Sequence, residues 1–166
     1  MKRTIFYLFF LLIIVCSVSA GAQINDTTTV ILVRHGEKDT VGRDPQLSAA
    51  GKARAEKLST LFKNINPDLF YSTPYVRTRQ ALAPWAKKAN VEIQEYNPTD
   101  FQGFVEKLRS IKGKTIVVAG HSNTIPVLVN LLIGTNKYVM LSDDDYSTLW
   151  IVKIIDGKAT EQTIKY

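Results

Sequence analysis

Cysteine is nearly absent from this sequence. The only copy among 166 residues is Cys16, and it lies in an N-terminal segment with the pattern of a targeting signal. A chain trimmed of that segment has no thiol, which excludes disulfide stapling and cysteine catalysis and leaves stability to a packed core. Histidine is almost as scarce, with two copies, His35 and His121. No Asp/His cluster has metal-ligand spacing, and no glycine-rich Walker loop is present. Low-complexity tracts and internal repeats are also missing. The length suits one domain with a real core.

No apolar run is long enough for a membrane span, which needs roughly 20 residues. The stretch Ile5 to Val18 stops short of that. It follows the basic start Met1-Lys2-Arg3 and precedes Ser19-Ala20-Gly21-Ala22-Gln23, where Ala20 and Ala22 form an A-x-A arrangement. This is the pattern of a secretory signal peptide cleaved after Ala20 or Ala22. Residues 1–22 are therefore expected to be the signal and residues 23–166 a single domain. The expected location is the periplasm or the extracellular space, with no stable membrane insertion after cleavage. Lipid attachment at Cys16 is disfavoured, because Ile14-Val15 lacks the small residue that this modification prefers. The formal charge of +6 favours anionic ligands, but Lys2 and Arg3 belong to the signal. Without them 19 basic residues face 15 acidic ones.

The chemistry-bearing residues follow β-forming runs. Thr28 to Val33 reads as a strand and ends abruptly in Arg34-His35-Gly36. Thr115 to Ala119 reads as a buried parallel strand and ends in Gly120-His121. Between them lie a helix over about 49–63 with Ser48 as N-cap, and a short strand over 68–72. A second helix is opened by Thr73 as N-cap and Pro74 as first residue, and it reaches about Ala89 with a kink or break expected at Pro84. A strand over 91–96 follows, then a helix capped by Asp100 or Thr99 that reaches about Ile111. Beyond His121 come a helix over 125–133 ended by Gly134, an acidic turn at Asp143 to Asp145, and a hairpin turning at Asp156-Gly157. The alternation of strands and helices predicts an α/β fold. It is a three-layer α/β/α sandwich with a mostly parallel central sheet and an antiparallel edge hairpin.

In such sheets ligands bind outside the carboxyl ends of the strands. That edge would gather Arg34, His35, His121 and Arg77, with Arg77 in the first turn of a helix whose free N–H groups attract anions. The helix after His121 would aim its own N-terminus at the same edge. Two arginines, two histidines and two helix starts suit a dianion such as phosphate, which a guanidinium fork can grip through two oxygens. Neighbouring arginines keep an imidazole neutral and therefore nucleophilic. Phosphoryl transfer through His35 is the expected chemistry.

Four segments then resemble a known family. Val33-Arg34-His35-Gly36-Glu37 is similar to the R-H-G signature of the histidine phosphatase superfamily, with its phosphoglycerate mutase-like fold. Asp44-Pro45-Gln46-Leu47-Ser48 with Gly51 resembles the D-x-x-L-[ST]-x-x-G segment. Thr73-Pro74-Tyr75-Val76-Arg77 resembles S-P-x-x-R. Val118 to Thr124 resembles the second histidine motif. R-H-G alone recurs by chance, whereas the four in order over Thr28 to Ile155 are specific. The resemblance implies that His35 attacks phosphorus and becomes phosphohistidine. It also implies that Arg34, Arg77 and His121 hold the equatorial oxygens, that water completes the hydrolysis, and that no metal or cofactor is needed.

The chain departs from the family in places. Ser122 stands where the acid-phosphatase branch has Asp after its second histidine, and Ala81 stands where a helix threonine is usual. The long insertions of the mutases are absent. The chain looks more like the small phosphohistidine phosphatases, whose phosphoramidate substrates leave easily. The general acid stays open among Glu95, Asp100, Glu92, Glu37 or none. The expected partner is a small phosphorylated substrate or a phosphoprotein, not nucleic acid, and the sequence carries no signal for oligomeric state. A catalytically weak module that binds phosphate or a phosphoprotein through the same pocket is the alternative.

Overall fold

A computed structural model describes residues 26–166. The expected signal peptide, residues 1–22, lies outside the described residues, as does Cys16. No helix among the described residues is long and apolar enough to cross a membrane.

The elements alternate as expected: β1 Thr28–Arg34, α1 Ala49–Leu61, β2 Leu69–Ser72, α2 Val76–Ala89, β3 Ile93–Glu95, α3 Phe101–Ser110, β4 Thr115–Gly120, α4 Thr124–Ile133, β5 Thr148–Ile155 and β6 Lys158–Lys165. They build one six-stranded sheet in the order β3-β2-β4-β1-β5-β6. The first four strands of that order are parallel, and β5 and β6 run antiparallel as the edge hairpin. Asp156 and Gly157 both have positive φ, at 49° and 76°, as a tight two-residue hairpin turn requires.

Alternation along the central strands sorts the core into two layers. Val30 and Leu32 of β1, with Ile116 and Val118 of β4, face α3 and α4 through Phe104, Leu108, Ile125 and Leu128. Ile31 and Val33, with Val117 and Ala119, face α1 and α2 through Leu58, Leu82 and Trp85. Both faces of β1 and β4 are covered, which is why these strands read as continuous apolar runs. The three-layer sandwich is therefore observed.

Three local expectations are corrected. Helix α2 starts at Val76 with Tyr75 as N-cap, so Thr73 and Pro74 are not its cap and first residue. Thr73 is instead fully buried, and its hydroxyl is committed to a side-chain network described below. Of the kink or break expected at Pro84, the break does not occur, and α2 runs continuously to Ala89. Leu82, Trp85 and Ala86, packed in the core on either side of it, hold the helix across the missing N–H. Strand β3 keeps only three residues at the far edge of the sheet. Asp100, not Thr99, caps α3 and accepts from the Gly103 N–H at 2.9 Å.

Candidate active site

The parallel strands β1 and β4 lie side by side in register, with Arg34 opposite Gly120. The residues that follow, His35 and His121, therefore emerge next to each other. Their ring centroids are 5.3 Å apart with the planes near perpendicular. Strand β2 flanks β4 with Ser72 opposite Ala119, so the turn after β2 delivers Arg77 to the same edge. A pocket of about 550 Å³ opens there, lined among others by Arg34, His35, Arg77 and His121. All four residues expected at the site are thus brought together.

His35 is buried and its tautomer follows from its partners. The Gly36 carbonyl, 2.7 Å from Nδ1, can only accept, so Nδ1 carries the proton. The lone pair is left on Nε2, which receives the Arg77 Nε–H at 3.2 Å. Burial lowers the His35 pKa to about 4, helped by the Arg77, Arg34 and Lys38 charges and opposed by the bond to Gly36. The ring is neutral at physiological pH.

His121 obeys the same logic. Its Nδ1 lies 3.4 Å from a terminal Arg77 nitrogen, which can only donate. Its Nε2 then donates to the Thr73 hydroxyl at 3.0 Å, which in turn meets the Thr78 hydroxyl at 2.9 Å. Thr78 ends the relay on the Tyr75 carbonyl at 2.8 Å. Burial again leads in lowering the pKa to about 4, followed by His35 and the Arg77 and Arg34 charges. Both imidazoles point an unprotonated nitrogen at Arg77.

The two arginines present different edges. Arg77 reaches both histidines, stacks on Tyr75 at 4.6 Å, and pairs with Asp44 at 3.2 Å. Asp44 also accepts the Val76 N–H at 3.0 Å. The α2 N-terminus, expected to face the ligand, is thus filled by a carboxylate of the protein itself. Arg34 is 6% exposed, and its terminal nitrogens donate to the carbonyls of Ser142 at 2.7 Å, Asp145 at 2.9 Å and Asp143 at 3.1 Å. Its guanidinium lies 4.1 Å from the Tyr146 ring centre. The fork expected to grip phosphate is therefore spent on the β5 approach loop, and the buried Nε is left without a partner. The α4 N-terminus does face the pocket, since Ser122, Asn123 and Thr124 line it.

None of the four acid candidates lines the pocket. Glu37 is clamped by Arg54, with three contacts between 2.6 and 3.2 Å, and that bond holds its carboxyl below the usual range. Glu95 is paired with Arg79 on the surface. Asp100 is the α3 cap, and Glu92 lies beside Asn90 and Val91, away from the histidines. The acidic residue that does line the pocket is Asp143, in the acidic turn before β5. Sequence reading missed Asp143, Thr73, Tyr75 and Tyr146. Only Thr73 and Tyr75 lay within a recognised motif; the loop around Asp143 has no local pattern.

These geometries meet the comparisons with known proteins at one point. Residues 30–97, from β1 through β3 with Arg34, His35 and Arg77, match the model of the histidine phosphatase superfamily (branch 1). That match covers less than half of the chain, and it is the stretch that carries Arg34, His35 and Arg77 that is similar to the superfamily. Among solved structures, the protein histidine phosphatase SixA complexed with tungstate superposes with a TM-score of 0.70 at 15% identity, covering 82% of this chain and 96% of that one. Phosphoserine phosphatase from Entamoeba histolytica, in complex with phosphoserine, gives 0.67 at 15% identity, covering 83% and 96%. A mycobacterial glucosyl-3-phosphoglycerate phosphatase gives 0.69 at 11% identity, covering 84% and 99%. At these identities the likeness is one of fold. No curated protein matches the sequence.

The lowered histidine pKa values make a prediction with a defined sign. In a proton NMR titration both imidazoles should titrate as a coupled pair near pH 4, with no midpoint near 6.5. The unfolded chain takes up these protons first, on falling through about pH 6.5, its ordinary histidine range. Stability should therefore fall as pH drops from about 6.5 towards 4 and stay level above 6.5. A midpoint at 6.5 for either ring would contradict the burial described.

Proposed function

We propose that this chain is an exported, metal-independent phosphatase that hydrolyses phosphomonoesters or phosphoramidates through a phosphohistidine on His35. The observation that carries the reading is the His35 ring itself. Its Nδ1–H is pinned to Gly36, and its Nε2 lone pair faces Arg77 in a pocket that Arg34 and Lys38 also line.

In the first step the Nε2 lone pair attacks phosphorus, and the bond to the leaving oxygen or nitrogen breaks with its electron pair. Arg77 must first move its Nε–H from Nε2 to a phosphate oxygen, so an arriving anion unmasks the nucleophile. Arg77 and the α4 N-terminus, with the Arg34 charge beside them, then stabilise charge on the equatorial oxygens. His121 contributes once the anion draws a proton onto its pocket-facing nitrogen. In the second step water displaces Nε2 from phosphorus and restores the neutral ring. The absence of Glu92, Glu95, Asp100 and Glu37 from the pocket supports substrates whose leaving group needs little protonation, as in phosphoramidates and aryl phosphates. Met1-Lys2-Arg3, the apolar run to Val18 and the A-x-A site support export.

Labelled p-nitrophenyl phosphate tests the reading in the presence of EDTA. Turnover with trapping of a base-stable, acid-labile phosphoenzyme is the expected result. The same missing acids favour a second reading, a module that binds phosphate without turning it over. Tight phosphate binding with neither trapping nor turnover would establish that instead.

A further inference from the structure

We propose that Asp143 is the general base that activates water in the second step, an inference that rests on the phosphohistidine reading above. Three observations converge on it. Asp143 is the carboxylate-bearing residue of the pocket lining. Among the described residues its carboxylate makes no hydrogen bond or ion pair, and it stands in solvent. Its neighbour Asp145, by contrast, spends its carboxylate on Thr148 Oγ1 at 2.6 Å and Lys165 at 2.7 Å. Asp144 lies outside the lining.

The backbone of Asp143 is also tied to the phosphate cradle. Its carbonyl accepts from Arg34 at 3.1 Å, beside the two other carbonyls that grip the same guanidinium. Arg34 itself lines the pocket and is more than nine-tenths buried, so the turn that holds it is fixed in place at the pocket edge. The turn that completes Arg34 thus also carries Asp143 to the rim.

A carboxylate with no donor of its own keeps its lone pairs open to a water molecule, so it suits proton removal better than proton donation. Water supplies a lone pair to the phosphorus of phosphohistidine, and the P–Nε2 bond breaks with its electrons returning to Nε2. Asp143 takes the water proton, then releases it to solvent. Products are inorganic phosphate and neutral His35.

The test is rapid mixing of the full chain with p-nitrophenyl phosphate, comparing wild type with Asp143→Asn, Asp143→Ala and Asp144→Asn. In both Asp143 variants the expected result is a burst of p-nitrophenolate near one per active site. A steady rate slowed on the order of 10²-fold should follow, as for loss of a general base, with accumulated phosphoenzyme. Asp144→Asn should behave as wild type. Vanadate binding in each variant checks that the pocket is folded. Unchanged turnover overturns the proposal, and so does a slowed rate without burst or accumulation. Absence of turnover and trapping in wild type would instead overturn the phosphatase reading.

Discussion

Replacing His35 by alanine should lower turnover of p-nitrophenyl phosphate by at least about 10³-fold, because the variant has no atom to carry the phosphoryl group. Arg34, Arg77, His121 and the α4 N-terminus all stay in place. Phosphate or vanadate should therefore still bind, and the loss should appear in kcat. Deleting the ring also frees the Arg77 Nε–H from its 3.2 Å contact with Nε2, so anion binding should hold or tighten. The measurement compares rates with EDTA present and looks for labelled phosphoenzyme in each protein. Equal rates in the two would remove His35 as nucleophile. A loss of anion binding as large as the loss of rate would make His35 a pocket-building residue instead.

The parts of the fold that sequence could show are those set by local pattern. The apolar runs of β1 and β4, the Ser48 cap, the Gly134 stop and the Asp156-Gly157 turn each follow from a few neighbouring residues. Placing those strands in one parallel sheet was enough to bring His35 and His121 together, because strand ends in register share an edge. Arg77 was legible for the same reason. The Arg34 error was of another kind. An arginine after a strand looks like a free fork, and only the long-range return of residues 142–145 shows that its terminal nitrogens are already satisfied.

The acid candidates failed for a related reason. Glu92, Glu95 and Asp100 sit near the expected place in the chain, but β3 is a three-residue edge strand, and its neighbours turn to caps and surface pairs. Asp143 comes to the pocket over a sequence separation of 108 from His35, with no periodicity to announce it. Thr73 was misread as a helix cap because Thr-Pro has that local meaning. Its hydroxyl is instead recruited by His121, and a tertiary partner overrides the local preference.

Gly51 gives the sharpest test of how the recognised motifs hold one another. Helix propensity alone says that Gly51→Ala, in the first turn of α1, should stabilise the protein by about 1 kcal/mol. The packing reverses the sign. A Cβ at Gly51 would stand 2.1 Å from the Glu37 carbonyl oxygen and 3.0 Å from the Glu37 nitrogen. From the other side, a Cβ at Gly36 would meet the Gly51 Cα at 2.9 Å. The two glycines let the backbone after His35 lie directly on the start of α1, and Ser48 fixes that contact through its N–H on the Glu37 carbonyl at 2.9 Å. The obstruction is backbone, so no rotamer change relieves it. Overpacking of this kind costs roughly 2–4 kcal/mol, which outweighs the propensity gain. A domain of this size should lose about 3 °C of Tm per kcal/mol, measured by circular dichroism. Lys52→Ala, exposed one residue on, should change little. Activity should fall further than stability, because any shift of Glu37 moves Gly36, whose carbonyl sets the His35 tautomer. A Gly51→Ala protein that melts at or above the wild-type temperature with full activity would show that the R-H-G turn and α1 are not in the contact described.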